Sequence, residues 1–314
     1  MNFDFNEEQT MIMDGIARYI REEYDFDRRR SIIESDSACS DDVWRQFSEL
    51  GWLSIPFDES YGGFGGHADD LAGVMLELGK GLIIEPYMST VVVFGSLLNA
   101  SNNDSLKEQL IPRIINGQYK GSFAYAEEQS RFEISDVKTS AQKCGDGYKL
   151  NGTKIAVIDA KESDGLIVTA RTGGSQYGAE GISLFLVDTS AEGVAVSSYN
   201  TMDSHSSSTI NLENVFVTEA NLIVEEGKGF RHIESCLPQI LLCLSAEALG
   251  IMEVLNRLTV EYSKTRKQFG APIGSFQALQ HRMVDNFMAF EQSKSMMYRG
   301  ICESTSFNKN DIDI

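Results

Sequence analysis

The segment YSKTRKQFGAPIGSFQALQH, residues 262–281, carries more information than any other part of this 314-residue chain. Arg266 and Lys267 close one helical pattern, Gly270 and Pro272 break it, and Ser275 is placed to cap the next helix. The break leaves Arg266, Gln268, Phe269 and Gln277 on one short connection. Together with Arg257, Lys264 and Arg282, Arg266 and Lys267 make the surrounding stretch a basic island. A planar guanidinium, amides and an aromatic ring suit a phosphate attached to a flat ring system. A solvated helix end that sets cations against its own dipole would carry the same residues, so both readings are open from spacing alone.

The island stands out because the chain around it is acidic, with a formal net charge of -19 and a pI near 4.6. Nucleic acid is therefore not expected as a partner, since a phosphate backbone demands a broad basic surface. An apolar content of 42% supports packed cores, and the length suggests two or three compact units. The five cysteines form no CxxC pair, which points to reduced thiols in a cytoplasmic protein. The four histidines form no HExxH arrangement, so no catalytic metal is expected. The start, MNFDFNEEQT, is too polar for a signal peptide, and the apolar runs read as too short for a membrane span.

Working outward, residues 1–117 read as helical. Asn6 and Gln9 form a capping box before a stripe of Ile12, Ile16, Tyr19 and Ile20. Helices are also expected over 41–50, with Val43, Trp44, Phe47 and Leu50 on one face, and over 69–79, 85–100 and 105–116. The glycine-rich run 61–66 follows a loop-like segment containing Pro56, so it reads as a structural turn rather than a phosphate cradle. Residues 118–224 change texture to alternating and β-branched runs, a small β-barrel or sandwich. Gly145–Gly147 and Asn151-Gly152 read as its hairpin turns. Helices return over 225–314 as two long apolar stripes, and the polar end from Ser304 reads as frayed. The stripes need cover from the first helices, a partner or elements this chain lacks. The fold class is thus α+β, helical at both ends with a β domain between.

This order, with NFDFNEEQTMIMD at the start, GDGYKLNGTK, TINLENVFV and above all the 262–281 motif, resembles the acyl-CoA dehydrogenase family of flavoproteins. The resemblance covers nearly the whole chain. It implies FAD-dependent α,β-dehydrogenation of an acyl-CoA thioester: a glutamate removes the α-proton while the flavin takes hydride from the β-carbon. It also implies a flavin shared between two subunits, one holding the ring and the neighbour reaching the diphosphate and adenosine end.

Carried over position by position, the neighbour half is intact in Arg266, Gln268, Phe269 and Gln277. The ring-holding half is not. Where the family has Thr-Glu-Pro and a Gly/Ser-rich continuation, this chain has Ala126-Glu127-Glu128 followed by Gln129, Ser130, Arg131, Phe132 and Glu133. Ala156 stands for the family's tryptophan and Ile158 for its threonine. The helix position of the base is Ile240, followed by Leu241, and the nearest substitute carboxylate is Glu247. By the family pattern the C-terminal helical domain is shortened.

The leading expectation is an accessory subunit of a heteromeric acyl-CoA dehydrogenase that lends half of an FAD site to a sister subunit. Heteromeric members handle dicarboxylic or steroid side-chain thioesters, so lipid or steroid side-chain catabolism is the implied setting. A self-sufficient homo-oligomeric flavoenzyme using Glu247 is the first alternative. A flavin-free acyl-CoA-binding or interaction protein is the second.

Overall fold

The computed structural model describes residues 5–35, 37 and 39–310, with side chains through Ser304. In chain order the helices are α1 (Glu7–Glu23), α2 (Phe26–Ile33), α3 (Asp41–Glu49), α4 (Ala68–Gly81), α5 (Gly95–Asn99), α6 (Asp104–Ile115), α7 (Gly229–Thr265) and α8 (Gln277–Asn310). A wide-turned π segment, Tyr87–Phe94, leads into α5. The strands are β1 (Gly121–Ala124), β2 (Ser140–Cys144), β3 (Gly147–Ile158), β4 (Gly165–Arg171), β5 (Ile182–Asp188), β6 (Val194–Asn200), β7 (Ser206–Thr218) and the short β8 (Lys267–Gln268) and β9 (Ala271–Pro272). The chain divides into two compact units. One draws on Met1–Arg29, His67–Ile83 and Leu241–Ile314, the other on Arg30–Gly66 and Ile84–Ile240.

The first unit is helical. Asn6 accepts from the Gln9 amide at 2.8 Å, the Gln9 side chain accepts from Asn6 N at 2.9 Å, and α1 starts as the capping box requires. The Gln9 side-chain nitrogen Nε2 donates to the Asp69 and Asp70 carboxylates, tying α1 to the first turn of α4. α4 and α7 approach backbone to backbone because glycine lies on both. A Cβ on Gly79 would collide with the Glu247 carbonyl, and one on Gly250 with the Leu76 carbonyl. Lys80 bridges the two helices, 2.8 Å from Glu77 and 3.3 Å from Glu253.

The second unit sets helices beside one curled seven-stranded sheet. Its path is β1-β4-β2-β3-β7-β6, with β5 paired to β4. β4 and β5 read as continuous apolar runs because almost every residue in them is buried. Leu150, Val157, Leu166, Val168, Phe185, Val187 and Ile210 belong to the core of this sheet. The turn at residues 145–146 is a two-residue hairpin loop in which Gly145 supplies the positive φ of 62°. Asn151-Gly152 is not a turn. It lies inside β3 at a register shift against β7, so the Asn-Gly pair marks a bulge.

One local expectation holds and several need correction. The 61–66 glycine run is a turn, as expected: its amides donate inward to the Phe57, Ile55 and Asp58 carbonyls. Leu50 is 52% exposed rather than buried, because α3 ends one residue before it. Ser275 does not cap α8, since its hydroxyl is bound to the Pro272 carbonyl at 2.7 Å. α8 continues to Asn310, past the expected fraying at Ser304, and residues 311–314 lie outside those described. The apolar runs also prove longer than expected. α7 is long and apolar enough to cross a membrane by length and composition, and a third of its apolar window is buried inside the protein. Core helices pass the same test, and α7 is packed against α4.

Candidate functional site

In the helical unit, Arg266 follows directly on the last residue of α7 and donates its amide to the Tyr262 carbonyl at 2.9 Å. β8 and β9 then fold on each other as a miniature hairpin, with Gln268 opposite Ala271. The two loop residues, Phe269 and Gly270, have φ of 53° and 79°, as a type I′ turn requires. Glycine takes this conformation freely. Phenylalanine does so against steric resistance, at about 1 kcal/mol. Its ring is 95% exposed and meets Phe276 edge-on at 6.3 Å. Gln277 opens α8. Arg266, Gln268, Phe269 and Gln277 are thus gathered on one stiff connection, and all four are exposed.

Arg257, Arg266, Lys267 and Arg282 have no carboxylate partner among the described residues, whereas Lys264 is held by Glu261 at 2.9 Å. An exposed, unpaired guanidinium beside two amides and an aromatic ring fits the diphosphate end of a dinucleotide. Glu247 is not brought to this cluster. It lies 18 residues before Thr265 on α7, about 27 Å back along the axis at 1.5 Å per residue. It is half-buried, with its backbone against Gly79 of α4.

In the sheet unit, the loop from 125 to 139 is pinned by an ion pair that spacing did not single out. Lys154 Nζ is 2.7 Å from Glu127 Oε1, and both side chains are buried. Lys154 also donates to Thr169 Oγ1 at 2.7 Å, and the Glu127 carboxylate accepts from the Lys138 and Thr139 amides. Burial alone would raise Glu127. The Lys154 ammonium and the hydrogen bonds to the carboxylate overcome that and bring it down to about 2. Burial of the Lys154 ammonium, partly offset by Glu127, draws Lys154 down to about 8. Arg171 adds a second clamp by donating to the carbonyls of Ser135, Val137, Gln176 and Gly178. The signal for the pair was present in the sequence, as a lysine four residues into Asn151-Gly-Thr-Lys154 within a strand.

The pair makes stability depend on acid. Because the folded pKa of Glu127 lies below its ordinary 4.5, its contribution is full above that value and lost as pH falls through about 2. Glu127→Gln is expected to flatten the acid limb of a stability–pH curve between those values. An unchanged limb would show that the carboxylate is not held down in the folded state.

The exposed rim beside this clamp differs from what a flavin ring needs. Arg131 takes the left-handed conformation, with φ of 47°, where a glycine would fit without strain. Phe132 is fully exposed. Ala156 also has a positive φ, in a second bulge of β3, and Ile158 is 54% exposed with no hydroxyl to offer. Phe123 and Tyr125 stack beside the clamp with ring centroids 5.2 Å apart. The residues present therefore fit the diphosphate end better than the ring end.

Three domain models cover almost all of the chain. The acyl-CoA dehydrogenase N-terminal domain matches residues 6–118, the middle domain 122–215 and the C-terminal domain 227–304. The chain is also 31% identical over 304 residues to the probable acyl-CoA dehydrogenase YngJ of Bacillus subtilis, covering 95% of this chain and 80% of that protein.

The chain belongs to the acyl-CoA dehydrogenase family.

Two solved structures of this acyl-CoA dehydrogenase fold are closely similar. The FAD complex of PigA superposes with a TM-score of 0.88 at 27% identity, over 95% of this chain and 79% of PigA. A chain of the ChsE4–ChsE5 complex of Mycobacterium tuberculosis gives 0.85 at 25% identity, over 95% and 78%. Members of the acyl-CoA dehydrogenase family are FAD-dependent oxidoreductases, and the helical–sheet–helical architecture expected from the sequence is theirs.

Proposed function

We propose that this chain serves FAD-dependent α,β-dehydrogenation of an acyl-CoA thioester as an accessory subunit. It lends Arg266, Gln268, Phe269 and Gln277 to a flavin seated mainly in a sister subunit. Bound there, the flavin would supply the hydride acceptor. Arg266 would grip the diphosphate with its planar fork, Gln268 and Gln277 would orient it, and Phe269 would pack against the adenosine end. The α-proton would be taken by the sister subunit. Ile240 and Leu241 can accept no proton, and Leu241 is 54% exposed.

One contrast carries this reading. The donor residues are intact, exposed and gathered on a strained turn. Arg131, Phe132, Ala156 and Ile158, by contrast, replace the small, aromatic and hydroxyl groups of the ring half. Residues 1–117, 118–224 and 225–314 are the corresponding domains. A cytoplasmic setting and a lipid or steroid side-chain thioester go with the reading.

The test is expression alone and with candidate sister subunits. A charge-assisted contact to a diphosphate contributes about 1.5–3 kcal/mol. Arg266→Ala should therefore weaken FAD retention in the complex by roughly tenfold or more. Unchanged retention would remove the donor role. A yellow, active homo-oligomer of this chain alone would overturn the accessory reading and move attention to Glu247→Gln as the test of a base.

A further inference from the structure

Beneath the rim of the sheet unit lies a buried carboxylate with a histidine beside it. Asp159 directly follows Ile158, the last residue of β3, and is buried. It draws three stretches of chain together. Ser89, on the π segment, donates its hydroxyl to Asp159 Oδ2 at 2.6 Å. The Asp159 amide donates to the Ser206 carbonyl at 2.9 Å, where β7 begins. His205, the last residue of the turn from β6 into β7, holds Nδ1 3.6 Å from Asp159 Oδ1. The turn is also closed on itself. Thr201 donates its amide to the His205 carbonyl at 2.9 Å, and the Asp203 carboxylate accepts from the Thr201 hydroxyl and the His205 amide.

Among the described residues, the groups around the imidazole come from four elements. Asp203 shares its turn, and Asp159 faces it from the end of β3. Lys161 and Glu162 sit on the helical turn Ala160–Glu162, which packs against β6 and β7; they lie 4.0 Å apart and offset each other. β6 adds Tyr199, whose phenol accepts from the Ser207 hydroxyl at 3.3 Å, and the π segment adds Ser89. Burial would raise the Asp203 carboxyl. The Thr201 hydroxyl, the His205 amide and the His205 imidazole hold it below its ordinary range instead. The ring thus sits between two carboxylates.

We propose that Asp159 and His205 form a proton-dependent latch on the β6–β7 turn. With His205 protonated, imidazolium and buried carboxylate tie the turn to the end of β3 and, through Ser89, to the π segment. With His205 neutral, the turn keeps its own hydrogen bonds and loses the charged tie. Facing carboxylates favour the charged ring in the folded protein. The tie is therefore complete below the ordinary histidine value of about 6.5 and is released as pH rises past the folded one. Tyr199 pairs with Ser207 and Ser207 with Ile158, so the three side chains share one face of the sheet. Release would loosen the strip bordering Ile158, together with exposed Tyr199 and Met202. The latch belongs to this chain alone and would operate whether or not a flavin is shared.

Ring-labelled histidine and NMR test the proposal on the full chain, which has four histidines: His67, His205, His232 and His281. His205→Asn assigns the signal. The His205 midpoint should lie above about 6.5 and fall toward that value in Asp159→Asn. Hydrogen exchange gives the second readout, expressed as protection so that intrinsic base catalysis is removed. From about pH 5.5 to 8, residues 201–206 should lose roughly fivefold protection. His205→Asn leaves Ser89 and Asp159 paired, and should make that protection low and independent of pH. A midpoint unmoved by Asp159→Asn, or protection in the parent chain that ignores pH, would overturn the latch. If Asp159→Asn does not fold, the exchange comparison of the parent with His205→Asn decides by itself.

Discussion

Lys154→Met is expected to lower the stability of the sheet unit by about 3–5 kcal/mol, because it leaves a buried carboxylate without its cation. The Glu127 side chain is almost wholly buried and faces Lys154 at 2.7 Å. The methionine would fill much of the volume but offer nothing to the carboxylate, Thr169 or the Tyr125 carbonyl, all of which now lie within hydrogen-bonding distance of Nζ. Urea unfolding measures the loss. Hydrogen exchange should locate it in residues 125–139, the loop the pair pins down. Adding Glu127→Gln to Lys154→Met should restore part of the stability, since the stranded charge is gone. A single variant as stable as the parent would mean that the carboxylate is solvated by another route.

The second large effect is expected in the helical unit. Gly250→Val places a side chain where the Leu76 carbonyl already lies, and Gly79 faces the Glu247 carbonyl just as closely. Rigid backbone cannot yield as a side chain tip can, so α4 and α7 must part. The expected cost is about 3 kcal/mol, the upper end for overpacking. Gly15→Ala is the control. A Cβ there meets nothing within 4 Å, so it should stabilise α1 by about 0.5–1 kcal/mol through helix propensity. Thermal melting of both variants decides the matter. Equal melting temperatures would contradict the close helix crossing.

Much of the fold was legible because local signals and burial agree in sign. Asn6 and Gln9 announce a capping box and form one, and the apolar positions Ile16 and Tyr19 of α1 are buried. The failures have local causes. Asn151-Gly152 carries the strongest short hairpin signal, yet long-range pairing of β3 with β7 overrides it and turns it into a bulge. Ser275 is a good cap by type, but the tight Pro272–Phe276 turn claims its hydroxyl first.

The candidate site was legible unevenly for a different reason. Arg266, Gln268, Phe269 and Gln277 lie within twelve residues of one another, so sequence proximity delivers spatial proximity. Glu127 and Lys154 are 27 residues apart, and only the folded sheet brings them together. Nor does periodicity reveal that a non-glycine residue takes a left-handed conformation, as Arg131, Ala156 and Phe269 do.

The turn at Phe269 has a consequence for how the protein can be improved or can drift. Replacing Phe269 with glycine would relax the backbone and remove a large exposed ring, so any screen that scores only heat resistance or solubility should enrich that change. Apart from its edge-on contact with Phe276, the ring does little for folding, so retention of phenylalanine there would have to come from a selection other than stability, such as the donor role proposed for it. On that proposal, selection for stability and selection for function pull in opposite directions at a single codon, and the sign of the pull can be read from which residue survives when folding alone is selected.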